Sequence, residues 1–462
     1  MIGFNSSAGS RFFLTAPAVA LLVAAFNRQA EAQDTTRVRL RSDTITLQQA
    51  IAIALAQNSS ARFAYNTVRL DSLSIRSARN AFLPNLNGSA STSQGFGAPG
   101  GQGQNALSVS GGLNSGVTIY NGGQNRNILR QAQLNAGASG DQFGRVRQTV
   151  VFNVASDFLN LITQQEQLGV EQENLTAQEQ ELTQLQAFVN QGTRPIGDLY
   201  QQQAAVAQTR LALVNARRAT EVAKVDLIQE LVLDPRGTYV FVTPVAPATP
   251  NVTPGPTFNL DTLISAAWAQ RADLRAEQLR VQAAQREVDI ARGTHLPTVS
   301  GSAGYSSGYN SAADGSFFTQ LNQRRGGSFG VGVSVPIFDR GAANIATQRA
   351  LIGLENELLT LRDLGQSVAL DVRRAFLDYN AAQEQLVAAD AQQRAAALAL
   401  QAAQERYRVG AGTFVEVTLA RATLIQAESS VVTARSNVSF QRALMSYFTG
   451  ELNVANPNIN LR

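Results

Sequence analysis

The chain contains itself twice. Ala78-Arg79-Asn80-Ala81-Phe82-Leu83-Pro84 recurs 213 positions later as Ala291-Arg292-Gly293-Thr294-His295-Leu296-Pro297. Ile119-Tyr120-Asn121-Gly122-Gly123 recurs as Ile337-Phe338-Asp339-Arg340-Gly341, now 218 positions on. The second spacing persists: Phe158-Leu159 matches Phe376-Leu377, and Val189-Asn190-Gln191-Gly192 matches Tyr407-Arg408-Val409-Gly410. The change of spacing corresponds to five extra residues in one loop of the second copy. A repeat of this length is two copies of one architectural unit, unlike the short modules of a solenoid. Such a chain builds something pseudo-symmetric, and its function is expected to lie in shape.

Residues 1–32 read as an export signal. Arg11 precedes an apolar stretch from Phe12 to Phe26, followed by the small-residue pattern Ala30-Glu31-Ala32. The run is too short for a membrane anchor and Pro17 interrupts it. No later window has the roughly 18 consecutive apolar residues of a spanning helix, so any membrane insertion is expected to use strands. Cysteine is absent and His295 is the only histidine, which argues against disulfides, lipidation at Cys, thiol chemistry and a catalytic metal centre. His295 lies where a helix meets a strand and is expected to be solvated or packed. The net charge of +4 rests on arginines scattered along the chain, with Lys224 the only lysine; this pattern is not a nucleic-acid footprint. No cofactor is implied.

Each copy is expected to run helix, strand, glycine-rich loop, strand, very long helix, tight turn, helix. Thr46 to Ala81 has helical spacing and ends before Pro84. The loop at 97–103 separates two strands, the second alternating with Leu107, Val109, Leu113, Val117 and Ile119 on one face. Ser108, Ser110, Asn114 and Thr118 occupy the other face. In the second copy Phe329, Val331, Val333, Val335 and Ile337 alternate with Ser328, Gly330, Gly332 and Ser334, across a loop at 308–327. Strands of about ten residues, apolar on one face and small or polar on the other, suit a lipid-facing barrel wall with a wet lumen. Four strands cannot close such a barrel, so several chains must contribute.

From Gln124 to Gln191 there is no proline, enough for about 100 Å of helix. Val154, Leu161, Leu168, Leu175, Leu182 and Val189 fall seven apart, as do Val372, Tyr379, Leu386, Gln393, Leu400 and Tyr407. Ala375, Ala382, Ala389, Ala396 and Ala403 form a companion stripe. A sustained seven-residue period of large residues beside alanine implies a close-packed, left-handed seam. The remaining positions are mostly Gln, Ala, Glu and Arg, which suits a wall with water on both sides. The expected organisation is therefore a signal at 1–32, a first repeat at 33–239, a proline-rich linker at 240–256, a second repeat at 257–452 and a tail at 453–462.

From about Leu47 to Leu452 this order resembles the TolC-like outer membrane factors. The most specific elements are the duplicated Leu-Pro before a strand, and the segments Gly192-Thr193-Arg194-Pro195-Ile196-Gly197-Asp198-Leu199 and Val409-Gly410-Ala411-Gly412-Thr413-Phe414-Val415-Glu416-Val417. The resemblance implies a mixed α and β membrane protein: a homotrimer whose protomers each give four strands to one twelve-stranded outer-membrane β-barrel, continued by a long periplasmic α-helical barrel with an internal two-fold repeat. It implies a passive exit duct of an efflux or type I secretion system, in contact with outer-membrane lipid. The duct docks an inner-membrane transporter through a periplasmic adaptor. The loops at 97–103 and 308–327 would face outside the cell. The tight turns, with Gly192, Thr193, Arg194, Pro195, Gly410, Gly412 and Thr413, would form the periplasmic tip where the adaptor docks. By motif position Asp198 and Tyr407 match a hydrogen-bonded gate pair and Glu416 matches a pore-facing gate acid; acidic rings in a constriction favour cations.

Two positions depart from the family pattern. A second gate acid falls on Leu419, and a basic residue that latches neighbouring hairpins falls on Gly412; Arg194 and Arg408 are the nearby replacements. The same residues have ordinary structural uses. Thr413 and Glu416 have capping-box spacing, Asp198 sits where a helix start favours negative charge, and Pro195 and Gly410 are helix-boundary residues. A periplasmic adaptor, the alternative reading, should carry one helical hairpin flanked by compact β domains; this chain has two hairpins. An exported enzyme is disfavoured because no nucleophile or paired-carboxylate motif lies in a strand–loop context.

Overall fold

The computed structural model describes residues 44–95, 106–242 and 258–452. The signal, the loop at 97–103, most of the proline-rich segment and the tail lie outside the described residues. In chain order the elements are β1 (Thr44–Ile45), α1 (Leu47–Gln57), α2 (Ser59–Asn80), β2 (Asn85–Gln94), β3 (Leu107–Asn121), α3 (Gln124–Asn190), α4 (Ile196–Glu230) and β4 (Val240–Phe241). The second copy follows with α5 (Leu260–Gln270), α6 (Ala272–Gly293), β5 (Thr298–Asn310), α7 (Phe317–Gln323), β6 (Gly326–Ser334), α8 (Ala342–Arg408) and α9 (Phe414–Thr449).

The two long helices are equal in length, 67 residues each. Each begins after a left-handed glycine, Gly123 at φ 78° and Gly341 at φ 79°. The neighbouring Gly122 at φ 64° has a stricter reason to be glycine: a Cβ there would lie 2.4 Å from the carbonyl oxygen of Gly293, where α6 ends. The strand-to-helix junction of the first copy is thus packed backbone to backbone against the helix-to-strand junction of the second.

The expected helix from Thr46 to Ala81 is two helices. At Asn58 the backbone turns extended (ψ 129°), and its side chain accepts from the amide of Ser60, starting α2 anew. Asn58 also donates to a carboxylate oxygen of Glu230 at 3.3 Å, tying the break to α4. Arg271 makes the same break between α5 and α6. Val240 and Phe241, expected in the linker, pair in parallel with Thr44 and Ile45 as a two-stranded sheet.

The second sheet has the antiparallel order β2-β3-β5-β6. Its register puts Leu113 opposite Tyr305, Val117 opposite Gly301, Ala303 opposite Phe329 and Gly301 opposite Val331. These residues share one face, because facing residues on paired strands point the same way. The other face carries Asn87, Ser89, Ser91, Ser110, Asn114, Ser300, Ser302, Ser306 and Ser328. No charged residue occurs in any of the four strands. The alternation in β3 holds from Leu107 to Val117. A bulge between Thr118 and Tyr120 then removes Ile119 from the ladder, so Tyr120 takes its place opposite Val299. β6 stops at Ser334, because Pro336 has no N–H for the ladder; Val335 and Ile337 lie beyond it. The expected loop at 308–327 is largely ordered: β5 continues to Asn310, α7 fills the middle and β6 begins at Gly326.

The main cores lie under the helix pairs. One gathers Ile45, Ile51, Val151, Val154, Phe158, Leu161, Leu227, Leu231 and Phe241; a second gathers Leu263, Leu274, Val368, Val372, Tyr379 and Met445. In α8 the seven-residue seam is buried at Val372, Tyr379 and Leu400 and at Ala375, Ala382, Ala389 and Ala396. Of the seven-residue seam in α3 only Val154 and Leu161 are buried; Leu168, Leu175, Leu182 and Val189 are half-buried. There the buried positions are Asn174, Gln178 and Leu185, because the α3–α4 seam is built on a polar clamp. The Gln202 side-chain amide donates to the backbone carbonyl and to the side-chain oxygen of Gln178, both at 2.8 Å. Among the described residues no helix is long and apolar enough to cross a membrane.

Candidate functional site: the paired hairpin turns

The α3–α4 turn and the α8–α9 turn come together, although they lie more than 200 residues apart in sequence. Gly192 (φ 72°) and Gly410 (φ 77°) supply the left-handed residue that ends each long helix. Pro195 caps α4 and Thr413 caps α9, with the Thr413 hydroxyl accepting from the Glu416 amide at 3.3 Å. The side chain of Thr193 turns back to donate to the Phe188 carbonyl at 2.9 Å. These local bonds set the chain direction at both turns and bring Asp198 and Tyr407 within reach of each other.

The Tyr407 hydroxyl donates to a carboxylate oxygen of Asp198 at 2.7 Å. Arg194, from the α3–α4 turn, lies over the Tyr407 ring with its guanidinium carbon 4.0 Å from the centroid. The same guanidinium donates to the Tyr407 carbonyl at 2.8 Å and, more weakly, to that of Arg408 at 3.4 Å. Phe414, itself buried, also packs on the ring at a centroid distance of 5.4 Å. Tyr407 is therefore held by its hydroxyl, its ring and its backbone. Burial, the hydrogen bond to Asp198 and that residue's charge raise the phenol pKa well above its ordinary value. The hydroxyl keeps its proton, and stays a donor, throughout the physiological range.

Glu416 does not join this pair. Its carboxylate lies 3.2 Å from Arg406 and takes a bond from the Thr413 hydroxyl at 3.3 Å. Arg406 also donates to the Ala411 carbonyl at 3.3 Å, closing the turn on itself. Gly412 sits inside this loop, where an added Cβ would come within 3.1 Å of the Arg406 Cβ and 3.3 Å of the Glu416 carboxylate. Leu419 is 68% exposed, one turn further along α9. Arg408 pairs with Glu405 on its own helix and contributes only a backbone carbonyl to the cross-turn cluster. Above the turns, Arg421 of α9 and Glu181 of α3 form a 2.6 Å ion pair, the more buried of the cross-hairpin charges in this region. Sequence reading missed Arg406, Arg421, Glu181 and Phe414. Arg406 carried a signal, since an arginine in the last turn of one helix faces an acid in the first turn of the next. Arg421 and Glu181 lie 240 positions apart and carried none.

Such a cluster ties the two hairpins together through a hydrogen bond and a cation–π contact. Among the described residues no group of three or more His, Asp or Glu is placed to hold a metal ion.

The family model for outer membrane efflux proteins matches residues 50–231 and 263–447, nearly all of both copies. The chain belongs to the outer membrane efflux protein family. Members are non-enzymatic transport ducts of the outer membrane that extend into the periplasm. The chain is 26% identical to outer membrane protein TolC of Escherichia coli over 386 residues, covering 82% of this chain and 77% of that protein. It is 26% identical to protein CyaE of Bordetella pertussis over 354 residues, covering 74% of this chain and 70% of that protein. The outer membrane channel CmeC of Campylobacter jejuni has the same fold, with a TM-score of 0.74 at 17% identity over 87% of this chain and 85% of that one. The family match thus spans the strands, the paired long helices and both turns.

Proposed function

We propose that three copies of this chain assemble into one duct. Their four-stranded sheets would close a twelve-stranded barrel in the outer membrane, and their long helices would continue it as a periplasmic tube. The sheet supports this reading because β2 and β6 are edge strands, and an open edge is not tolerated in lipid unless another strand pairs with it. The apolar face, with Leu113, Tyr305, Phe329, Val331 and Val333 all exposed in the single chain, would meet the acyl chains. The opposite Ser, Gly and Asn face would line the water-filled bore.

The paired turns form the closed tip, and the observation that carries this is the Tyr407–Asp198 bond with Arg194 clasped over it. The latch residue absent at Gly412 is replaced from the opposite turn: Arg194 reaches across to the carbonyl of Tyr407. Glu416 presents an acid at the tip, though Arg406 offsets part of its charge. Gly192, Thr193, Arg194, Pro195, Gly410, Gly412 and Thr413 form the rim that a periplasmic adaptor engages, and docking of the adaptor and an inner-membrane transporter opens the tip. Fractionation tests the assembly. The protein is expected in the outer-membrane fraction as a trimer that survives mild detergent and warming; a soluble monomer in the periplasmic fraction would overturn the duct.

A further inference from the structure

The longer loop of the second copy holds α7, which neither the tip nor the barrel wall explains. α7 is firmly held. The Ser316 hydroxyl caps it by accepting from the Thr319 amide. Gln320, 1% exposed, donates to the carbonyls of Asn310, Ala313 and Gly315 at 2.9–3.0 Å and accepts from the amide of Asn310.

Its placement follows from the pleat. Tyr309 and Ser307 share the face of β5 that carries Tyr305, the apolar face, because alternate residues point the same way. The Ser307 hydroxyl donates to the Leu321 carbonyl at 2.5 Å, and the ring of Phe317 lies 5.1 Å from that of Tyr309. α7 is therefore folded over the apolar side of the sheet, at the end where β5 and β6 are furthest from the helices. Phe318 stacks edge-on against Phe317, 5.4 Å away, yet is 80% exposed. Arg324 caps the C-terminus of α7 and Arg325 follows it. Both are exposed, and neither has an ion-pair partner among the described residues.

An exposed aromatic, two unpaired arginines and an apolar wall continuous beneath them match the boundary between acyl chains and headgroups. We propose that α7 is a lipid-binding collar: Phe317 and Phe318 enter the acyl boundary of the outer leaflet, and Arg324 and Arg325 bind an anionic, phosphate-bearing headgroup. Arginine suits this role because its planar fork holds phosphate through two bonds at once. The proposal rests on the duct reading, which sets the apolar face in lipid and this end outermost.

The test uses the full-length protein purified in detergent and reconstituted into bilayer discs of phosphatidylcholine containing one part in ten of phosphatidylglycerol or lipid A. Co-retained lipid is then counted after exchange into neutral detergent. The wild type is expected to retain the anionic lipids over phosphatidylcholine. R324Q/R325Q should lower that preference roughly tenfold while the protein stays trimeric and inserted. F318S should lower retention of charged and neutral lipid alike. Equal retention by wild type and R324Q/R325Q, in inserted trimers, would overturn the collar and leave the duct standing. Equal retention of neutral and anionic lipid by the wild type would reduce the patch to an aromatic anchor and also overturn the headgroup site. A chain that fails to enter the bilayer at all would overturn both readings.

Discussion

Tyr407 illustrates how much one side chain can do when three of its parts are used. Its hydroxyl is held by Asp198, its ring by Arg194 and Phe414, and its carbonyl by Arg194 again. Arg406, another cation at the turns, makes an ion pair with Glu416 in which both side chains are well exposed, and such pairs contribute about 0–1 kcal/mol. A ranking follows. Arg194→Ala removes a charge-assisted hydrogen bond and a cation–π contact from a partly buried site, worth roughly 2 kcal/mol together. Arg406→Ala removes little. Uptake of a large polar antibiotic by intact cells is expected to rise clearly for Arg194→Ala and marginally for Arg406→Ala; the reverse order would mean that the Glu416 pair is the real latch. Arg194 was legible in the sequence only as one of two substitutes for the missing base at Gly412. Its choice over Arg408 depends on which turn reaches across, a tertiary fact that no local pattern encodes.

At the scale of elements, the polar seam between α3 and α4 contributes to stability. Gln202→Ala would leave the Gln178 side-chain oxygen buried without its donor, at about 1–3 kcal/mol. A lowered melting temperature with preserved trimers is the expected outcome, and an unchanged one would show that the clamp is dispensable. Higher on the same pair, burial and the nearby Asp226 raise the pKa of Asp157, and burial and Asp157 raise that of Glu230. Groups whose pKa is higher folded than unfolded contribute stability at low pH, lost as pH rises through the folded value. The helix pair is therefore expected to be most stable in mild acid. Asp157→Asn should raise the melting temperature at pH 8 and lose its advantage toward pH 4; a difference independent of pH would refute this electrostatic origin.

These elements also show what sequence periodicity can carry. The long helices were legible because a proline-free run of such length has few alternatives, and the α8 seam because Ala alternates with large residues. The α3–α4 clamp was not, since glutamine on a polar helix reads as surface until a partner appears. The break at Asn58 was hidden by an apolar spacing that continues on both sides of it. α7 was hidden by the Gly, Ser and Asn around it, which read as loop.

For the whole molecule, the sheet and the turns divide the work. The strands carry no charge on either face, so in the proposed duct a bore lined by their Ser, Gly and Asn side chains would offer little to select one ion over another. Buried ions of a different kind lie between them. Arg145 of α3 faces Arg271 and Asp273 at the start of α6 and donates to the Tyr447 carbonyl near the end of α9. Burial alone would raise the pKa of Asp273, but its bonds to Arg271 and the charges of both arginines hold it below the usual range. This cluster joins the first copy to the second within the helical part, well along α3 from the sheet and beside the break between α5 and α6. In the proposed duct, selectivity and closure would then fall to the tip.

Single-channel conductance in planar bilayers tests that assignment most directly, comparing the wild type with the Asp198→Ala/Tyr407→Phe double variant. The wild type is expected to show a small, cation-selective conductance, and the double variant a several-fold larger one, with the trimer intact in both. A wild type that already conducts fully, or a variant indistinguishable from it, would contradict closure by the paired turns.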